Sequence, residues 1–158
     1  MKNDKSLLEH LLNLLTGEGA HANFEAAVKG LPAELRGQRP KGAAHSPWEV
    51  VEHLRITQWD ILEFMRDPQH VSPDFPAGYW PSAQAPPSEK AWEQCVAAFR
   101  ADLKAIADLT ANESTDLFAP LPHAPDKTIL REVLLVADHN SYHLGELVLL
   151  RRVLDAWS

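Results

Sequence analysis

The longest uninterrupted helical pattern in this 158-residue chain is Thr128–Trp157, TILREVLLVADHNSYHLGELVLLRRVLDAW, which contains no proline and one glycine, Gly145. Two histidines in this stretch, His139 and His143, are four residues apart and therefore lie on one helix face. The same face continues through three apolar residues, Val136, Leu147 and Leu150. We therefore expect the face to point into the core. Because buried polar rings need partners, a shared divalent metal ion would satisfy both histidines at once.

Three further helices are predicted from apolar spacing and from capping residues. The first spans about Lys5–Leu15, which is rich in leucine. The second begins at SPWE, residues 46–49, where a serine N-cap, a proline at the first helical position and a glutamate form a capping box. It is expected to extend over Pro47–Arg66. The third begins near Ser88 and carries apolar residues at helical spacing, namely Trp92, Val96, Phe99, Leu103 and Ile106.

The absence of a strand-rich region predicts an all-α four-helix bundle in a single domain over residues 1–158. Two connections are long: residues 67–87 contain six prolines, and residues 110–127 contain three. Loops of more than about 12–15 residues are usually functional or disordered. The first loop contains three aromatic residues, Phe75, Tyr79 and Trp80, so we expect it to pack over the bundle. It is also long enough for the helices on either side of it to run in the same direction.

Composition excludes several classes of partner and location. The net charge is −7 and no block of like charges occurs, so neither nucleic acid nor an anionic membrane is expected to attract the chain. The single cysteine, Cys95, excludes an intramolecular disulfide and a cysteine-built metal site. No apolar run reaches the length of about 18 residues that a membrane helix needs, and the first residues do not read as a signal peptide. A cytoplasmic protein is expected.

A third histidine, His53, lies at the border of the apolar face of the predicted helix Pro47–Arg66. If that helix packs against the last one, His53 meets His139 and His143 across the bundle. Three neutral imidazoles with an open coordination position suit Zn²⁺, Ni²⁺ or Fe²⁺. Such an ion would lower the pKa of bound water or of a thiol and deliver a nucleophile at neutral pH. The alternative for the pair on the last helix is one core histidine that is hydrogen-bonded to a neighbour and one that is partly exposed.

Residue identity argues against two other metal motifs. A zinc-protease motif requires glutamate directly after its first histidine, where this chain has Asn140. A di-iron carboxylate bundle requires glutamate three residues before a histidine, and those positions hold Val50, Val136 and Asn140. Neither motif is supported.

The stretches SPWEVVEHL (46–54) and DHNSYHLGEL (138–147), in this order and separation, resemble the DinB-like (YfiT-type) superfamily of metal-dependent proteins. The resemblance covers essentially the whole chain. It implies a four-helix bundle of up-down-down-up connectivity with long crossover loops, and frequent dimerisation. It also implies a metal site at His53, His139 and His143, usually with Ni or Zn. Characterised relatives include transferases and isomerases that use low-molecular-weight thiols such as bacillithiol or mycothiol.

Glu146 departs from the family pattern, since many relatives have glutamine at this place, three residues after the last histidine. Because it shares a helix face with His143, it is predicted to orient that histidine, to act as a base, or to be a fourth ligand. The alternative is a surface carboxylate paired with Arg151 or Arg152. Asp60 is a further candidate for the same cavity, unless it is solvated or paired with an arginine.

The function predicted from these residues is that of a metal-dependent enzyme. Its three-histidine-bound ion would activate water or a thiol for transfer or hydrolysis on a small molecule, in a thiol S-transferase-like reaction with Glu146 as the catalytic residue. The expected cofactor is Ni or Zn, with Fe as a further candidate, and the expected assembly is a homodimer. The alternative is a non-catalytic metal-binding or stress-associated dimer. The two hypotheses differ in whether the ion keeps an open position facing a cavity.

Overall fold

The computed structural model describes residues 5–17 and 20–157, and within them it contains four long helices, one short helix and a small hairpin. The helices are α1 (Lys5–Thr16), α2 (Phe24–Val28), α3 (Pro47–Arg66), α4 (Glu89–Ala111) and α5 (Ile129–Val153). The hairpin pairs β1 (Pro120–Leu121) with β2 (Ala124–Thr128) in an antiparallel arrangement. The predicted all-α bundle is confirmed. None of the described helices has the length and apolarity needed to cross a lipid bilayer.

The start of α3 is fixed by the capping box that the sequence predicts. The Ser46 hydroxyl accepts a hydrogen bond from the Glu49 backbone N–H (3.2 Å), and the Glu49 carboxylate accepts one from the Ser46 N–H (2.7 Å). The Ser46 hydroxyl also donates to the carbonyl of Gln84 (2.6 Å). This cap therefore sets where α3 begins and ties down the end of the 67–87 loop at the same point.

Helices α3 and α4 lie side by side and run in the same direction. Near their N-terminal ends, the rings of Trp48 and Trp92 lie 6.4 Å apart. Further along both helices, the side-chain amide of Gln58 donates to the backbone carbonyl of Phe99 (2.7 Å). A parallel pair is what the length of the 67–87 connection predicts; the complete up-down-down-up order stays a prediction.

A buried polar pair lies between two apolar clusters of the core and links α3 to α5. Gln58 is 1% exposed, and its side-chain oxygen accepts a hydrogen bond from the Asn140 amide (2.9 Å). Asn140 stands between His139 and His143 in the sequence. Because a buried hydrogen bond is costly to break, this pair favours the rotation of α5 that turns both histidines toward α3.

The last helix is shorter than predicted, because it ends at Val153 rather than at Trp157. Asp155 adopts a left-handed backbone with φ of 54°, which no helix accepts. The Arg151 side chain holds the turn by donating to the carbonyl of Ala156 through Nε (2.9 Å) and Nη2 (2.6 Å). The segment has no glycine or proline to mark this end, so the sequence pattern continued past it.

The hairpin lies in the proline-rich connection 110–127 and the start of α5, where no strand was predicted. Proline cannot donate to a strand ladder and is confined to edges and strand ends. The two strands are short, and both are edges. Pairing of Pro120 with Thr128, the N-cap of α5, places this turn at the start of the last helix.

Candidate metal centre

The ring nitrogens of the three predicted histidines converge on one point between α3 and α5. The Nε2 atom of His53 lies 3.1 Å from that of His143 and 3.0 Å from that of His139. All three ligand atoms lie within 4.8 Å of one another. Nitrogens that share a divalent ion at about 2.0–2.1 Å are themselves roughly 3–3.4 Å apart. The two spacings from His53 therefore fit a shared ion of the kind that the sequence predicts; the role of the histidines as ligands stays a prediction.

Two of the three rings have their tautomer fixed by an acceptor on the outer nitrogen. The Nδ1–H of His53 donates to the backbone carbonyl of Tyr79 (2.7 Å), and the Nδ1–H of His143 donates to the Glu146 carboxylate (2.9 Å). In the uncharged form of each ring, this bond leaves Nε2 with a lone pair and no proton. Two lone pairs that face each other at 3.1 Å repel, and a cation between them removes that repulsion.

Burial keeps His53 and His139 uncharged and so available as ligands. It lowers the pKa of His53 to about 4, although the hydrogen bond to Tyr79 opposes the shift. Burial, together with repulsion from His143 and His53, lowers the pKa of His139 to about 3. Both rings are therefore neutral near pH 7, as a metal ligand must be.

Glu146 is an outer partner of the triad. Its carboxylate accepts one hydrogen bond from His143 and another from the Nδ1–H of His45 (3.1 Å). Burial alone would raise the pKa of Glu146, but these two hydrogen bonds outweigh burial and lower the pKa below its usual value. The alternative pairing with Arg151 is wrong, since Arg151 donates to the backbone carbonyl of Ala27 (2.7 Å) instead.

The 67–87 loop covers the triad with Trp80. The indole of Trp80 stacks on the ring of His53, with centroids 3.9 Å apart and planes 2° apart. Its other face stacks on His45 at 3.8 Å. Because the carbonyl of the preceding residue, Tyr79, accepts the His53 proton, one short stretch of the loop both orients a candidate ligand and shields it.

A cavity of about 250 Å³ adjoins the triad and gives it room for a small organic molecule. Its lining includes His53, Thr57, Leu135 and His139 of the helices and Phe75, Tyr79 and Trp80 of the loop. Within the described ranges, no fourth histidine, cysteine, aspartate or glutamate joins the cluster. The candidate centre thus has an open side that faces the cavity.

Asp60 also lines this cavity, as predicted, but its partners are not the expected arginine or solvent. One carboxylate oxygen accepts from His70 Nε2 (2.7 Å) and the other from the Tyr79 hydroxyl (2.7 Å). Burial, then the contact with Asp60, raises the pKa of Tyr79 to about 12, so the phenol keeps its proton. His70 lies in the loop, and its side chain is only 9% exposed. No periodicity in the proline-rich loop signals this contact.

Removal of two of the histidines should abolish metal binding without unfolding the bundle. Untagged wild-type protein should contain about one equivalent of a divalent transition metal by elemental analysis. His53→Ala/His139→Ala should contain none, whereas His10→Ala, a control at an exposed position of α1, should match the wild type. Metal retained by the double variant at the wild-type stoichiometry would contradict the assignment.

Removal of the Glu146 carboxylate should weaken metal binding by about 10- to 100-fold, because His143 loses the acceptor that orients it. Glu146→Gln should lose less than Glu146→Ala, since the amide oxygen still accepts a hydrogen bond. Competition with a chromophoric chelator measures the affinity, and Glu93→Ala on the exposed side of α4 is the control. An unchanged affinity in Glu146→Ala would argue against an orienting role.

Comparison with known families agrees with the geometry. The sequence model of the DinB superfamily matches residues 17–147, a range that contains the three histidines and Glu146. No curated protein and no solved structure matches the chain. Because the family match extends over most of the sequence, the protein belongs to the DinB superfamily.

Proposed function

We propose that the protein is a metal-dependent enzyme in which His53, His139 and His143 hold a divalent ion beside a substrate cavity. The observation that carries the proposal is the approach of three ring nitrogens to one another, with Nε2 of His53 3.1 Å from that of His143 and 3.0 Å from that of His139. A hydrogen bond between rings would join two of them, whereas a shared ion accounts for all three. A shared cation gives this arrangement a physical reason.

The ion would lower the pKa of water or of a thiol in its open position and so supply a nucleophile at neutral pH. The surrounding residues have separate tasks. Glu146 holds the proton on Nδ1 of His143, Tyr79 does the same for His53 through its carbonyl, and Trp80 excludes water from one side of the centre. Each oxygen of Glu146 already accepts a hydrogen bond, one from His45 and one from His143, so orientation is the role that its contacts favour.

The reaction that we propose is transfer or hydrolysis on a small molecule, with a thiol S-transferase-like reaction as the first choice. An open position next to a mostly apolar cavity supports it, as does the resemblance to thiol-using relatives. Three imidazoles suit nickel and zinc, and they also suit iron, so the proposed metal is nickel or zinc with iron as the alternative.

A non-catalytic metal-binding protein is the second candidate. Such a site is usually closed by a fourth protein ligand. The described residues supply three ligand atoms and a cavity, which favours the enzyme. The expected homodimer stays a prediction; α5 exposes several apolar side chains that such an assembly would cover, namely Leu134, Tyr142, Leu149 and Val153.

Loss of the last ligand should remove metal and activity together. His143→Ala is expected to show no bound metal and no turnover in screens of thiol transfer and hydrolysis, with an unchanged helical circular dichroism spectrum. His123→Ala is the matched control, because His123 binds the Phe64 carbonyl (2.9 Å) and lies outside the triad. Full activity in metal-free His143→Ala would refute the proposed function.

A further inference from the structure

A second cavity adjoins the one beside the triad. This distal cavity has a volume of about 170 Å³ and lies against the N-terminal part of α5. The two cavities share three lining residues, Asp60, Ile61 and Leu135. The two adjoining cavities, together called the cleft, are lined by α3 and α5, and His53 and His139 line the first of them.

The side chains of α5 that line this cleft change along the helix from a cation to an apolar residue and then to an imidazole. Arg131, Leu135 and His139 follow one another at intervals of four residues, each turned by about 40° from the one before, so they form a winding stripe along α5. The first lines the distal cavity, and the third lines the cavity beside the triad. At a rise of about 1.5 Å per residue, Arg131 and His139 are roughly 12 Å apart along the helix axis. The cleft thus has Arg131 in its distal part and the candidate metal centre beside the other part, with Ile61, Leu135 and the hydrogen-bonded carboxylate of Asp60 between them.

Arg131 has hydrogen-bond donors to spare. Its Nη1 donates to both carboxylate oxygens of Glu132, at 2.7 and 2.9 Å. Nε and Nη2 have no partner among the residues that the structure describes. This edge of a guanidinium is one that binds a carboxylate through two parallel hydrogen bonds. Lys127, whose side chain is 31% exposed, lines the same cavity and pairs only with the surface residue Asp126.

The acidic residues of the distal cavity already have partners. Each oxygen of Asp60 accepts a hydrogen bond, one from His70 and one from Tyr79. Glu132 is 1% exposed, and both of its oxygens are bound by Arg131. The groups left free to bind a ligand at this end are therefore the donors of the two cations, which select an anion.

We propose that the cleft binds an elongated small molecule that ends in a carboxylate. Arg131, assisted by Lys127, binds the carboxylate, Ile61 and Leu135 contact an apolar middle, and the reacting end lies beside the histidines. Arg131 is then a specificity-determining residue about 12 Å from the chemistry. This inference rests on the proposed function, because the metal centre places the reacting end.

The test uses Co²⁺-loaded full-length protein and thiols of known length, since thiolate coordination to Co²⁺ gives a charge-transfer absorption band. Mercaptooctanoate is long enough to span the cleft, mercaptooctanol has the same length without the charge, and mercaptoacetate has the charge without the length. A hydrogen-bonded charge pair at Arg131 should make mercaptooctanoate bind about 10- to 100-fold more tightly than mercaptooctanol. Mercaptoacetate should bind no more tightly than mercaptooctanol.

Two variants test the assignment to Arg131 and Lys127. Arg131→Lys keeps a cation beside the buried Glu132, so the fold is preserved, but it removes the two-pronged edge and should abolish most of the preference for mercaptooctanoate. Lys127→Gln, at a partly exposed position, should reduce the preference by a smaller factor. Arg152→Lys, the same change at an exposed position near the opposite end of α5, should leave it unchanged.

The outcomes separate this inference from the proposed function. Equal binding of mercaptooctanoate and mercaptooctanol, with the charge-transfer band present for both, would overturn the inference and leave the metal centre intact. A wild-type preference that persists in Arg131→Lys and Lys127→Gln would overturn the assignment to these residues. No band with any of the thiols, in protein that retains Co²⁺, would refute the open position itself and the inference with it.

Discussion

The packing of α3 against α5 is the constraint on which the candidate site depends, because it buries three imidazoles against one another. His53 and His143 are 7% and 8% exposed, and each has an acceptor that holds the proton on its outer nitrogen. Buried polar atoms without a partner are costly, and lone pairs that face one another are more so. A cation at their common point turns this cost into a stabilising contact. Metal binding should therefore contribute to the stability of the bundle as well as to its chemistry.

The 67–87 loop connects the candidate site to the rest of the fold through hydrogen bonds. The carbonyl of Tyr79 in this loop fixes the tautomer of His53. The hydroxyl of the same residue donates to the carboxylate of Asp60, which also lines the cavity. Its far end is held at the N-cap of α3 through Ser46. The loop, the cap and the candidate ligand thus belong to one hydrogen-bonded unit, so displacement of the loop would also release the orientation of His53.

The sequence predicts the helices and their faces better than it predicts the contacts of the loops. The bounds of α3 follow from its capping box and from the Asp67-Pro68 stop, both of which are local signals. The convergence of His53 on the α5 pair could be predicted because helical periodicity fixes the faces. The contact of His70 with Asp60 and the stack of Trp80 could not be predicted, because an aperiodic loop gives no register. Both depend on tertiary packing alone.

The role of Glu146 shows the same limit of sequence-based prediction within the site. Its place on the face of His143 follows from a spacing of three residues. Its second partner, His45, lies just before α3 and reaches Glu146 only when α3 and α5 pack. Sequence reasoning therefore left an orienter, a base, a fourth ligand and a surface ion pair as alternatives. The contact with His45 argues against the surface ion pair, and the role of Glu146 stays a prediction.

X-ray absorption spectroscopy of the metal-loaded protein would test the three-histidine centre most directly. The structure predicts three imidazole nitrogens at about 2.0–2.1 Å from the ion, with an additional light atom that is replaced by sulfur when a thiol is added. In His53→Ala/His139→Ala the imidazole signal should disappear. A fourth protein ligand that persists in excess thiol, or a coordination sphere without imidazole, would contradict an open three-histidine centre.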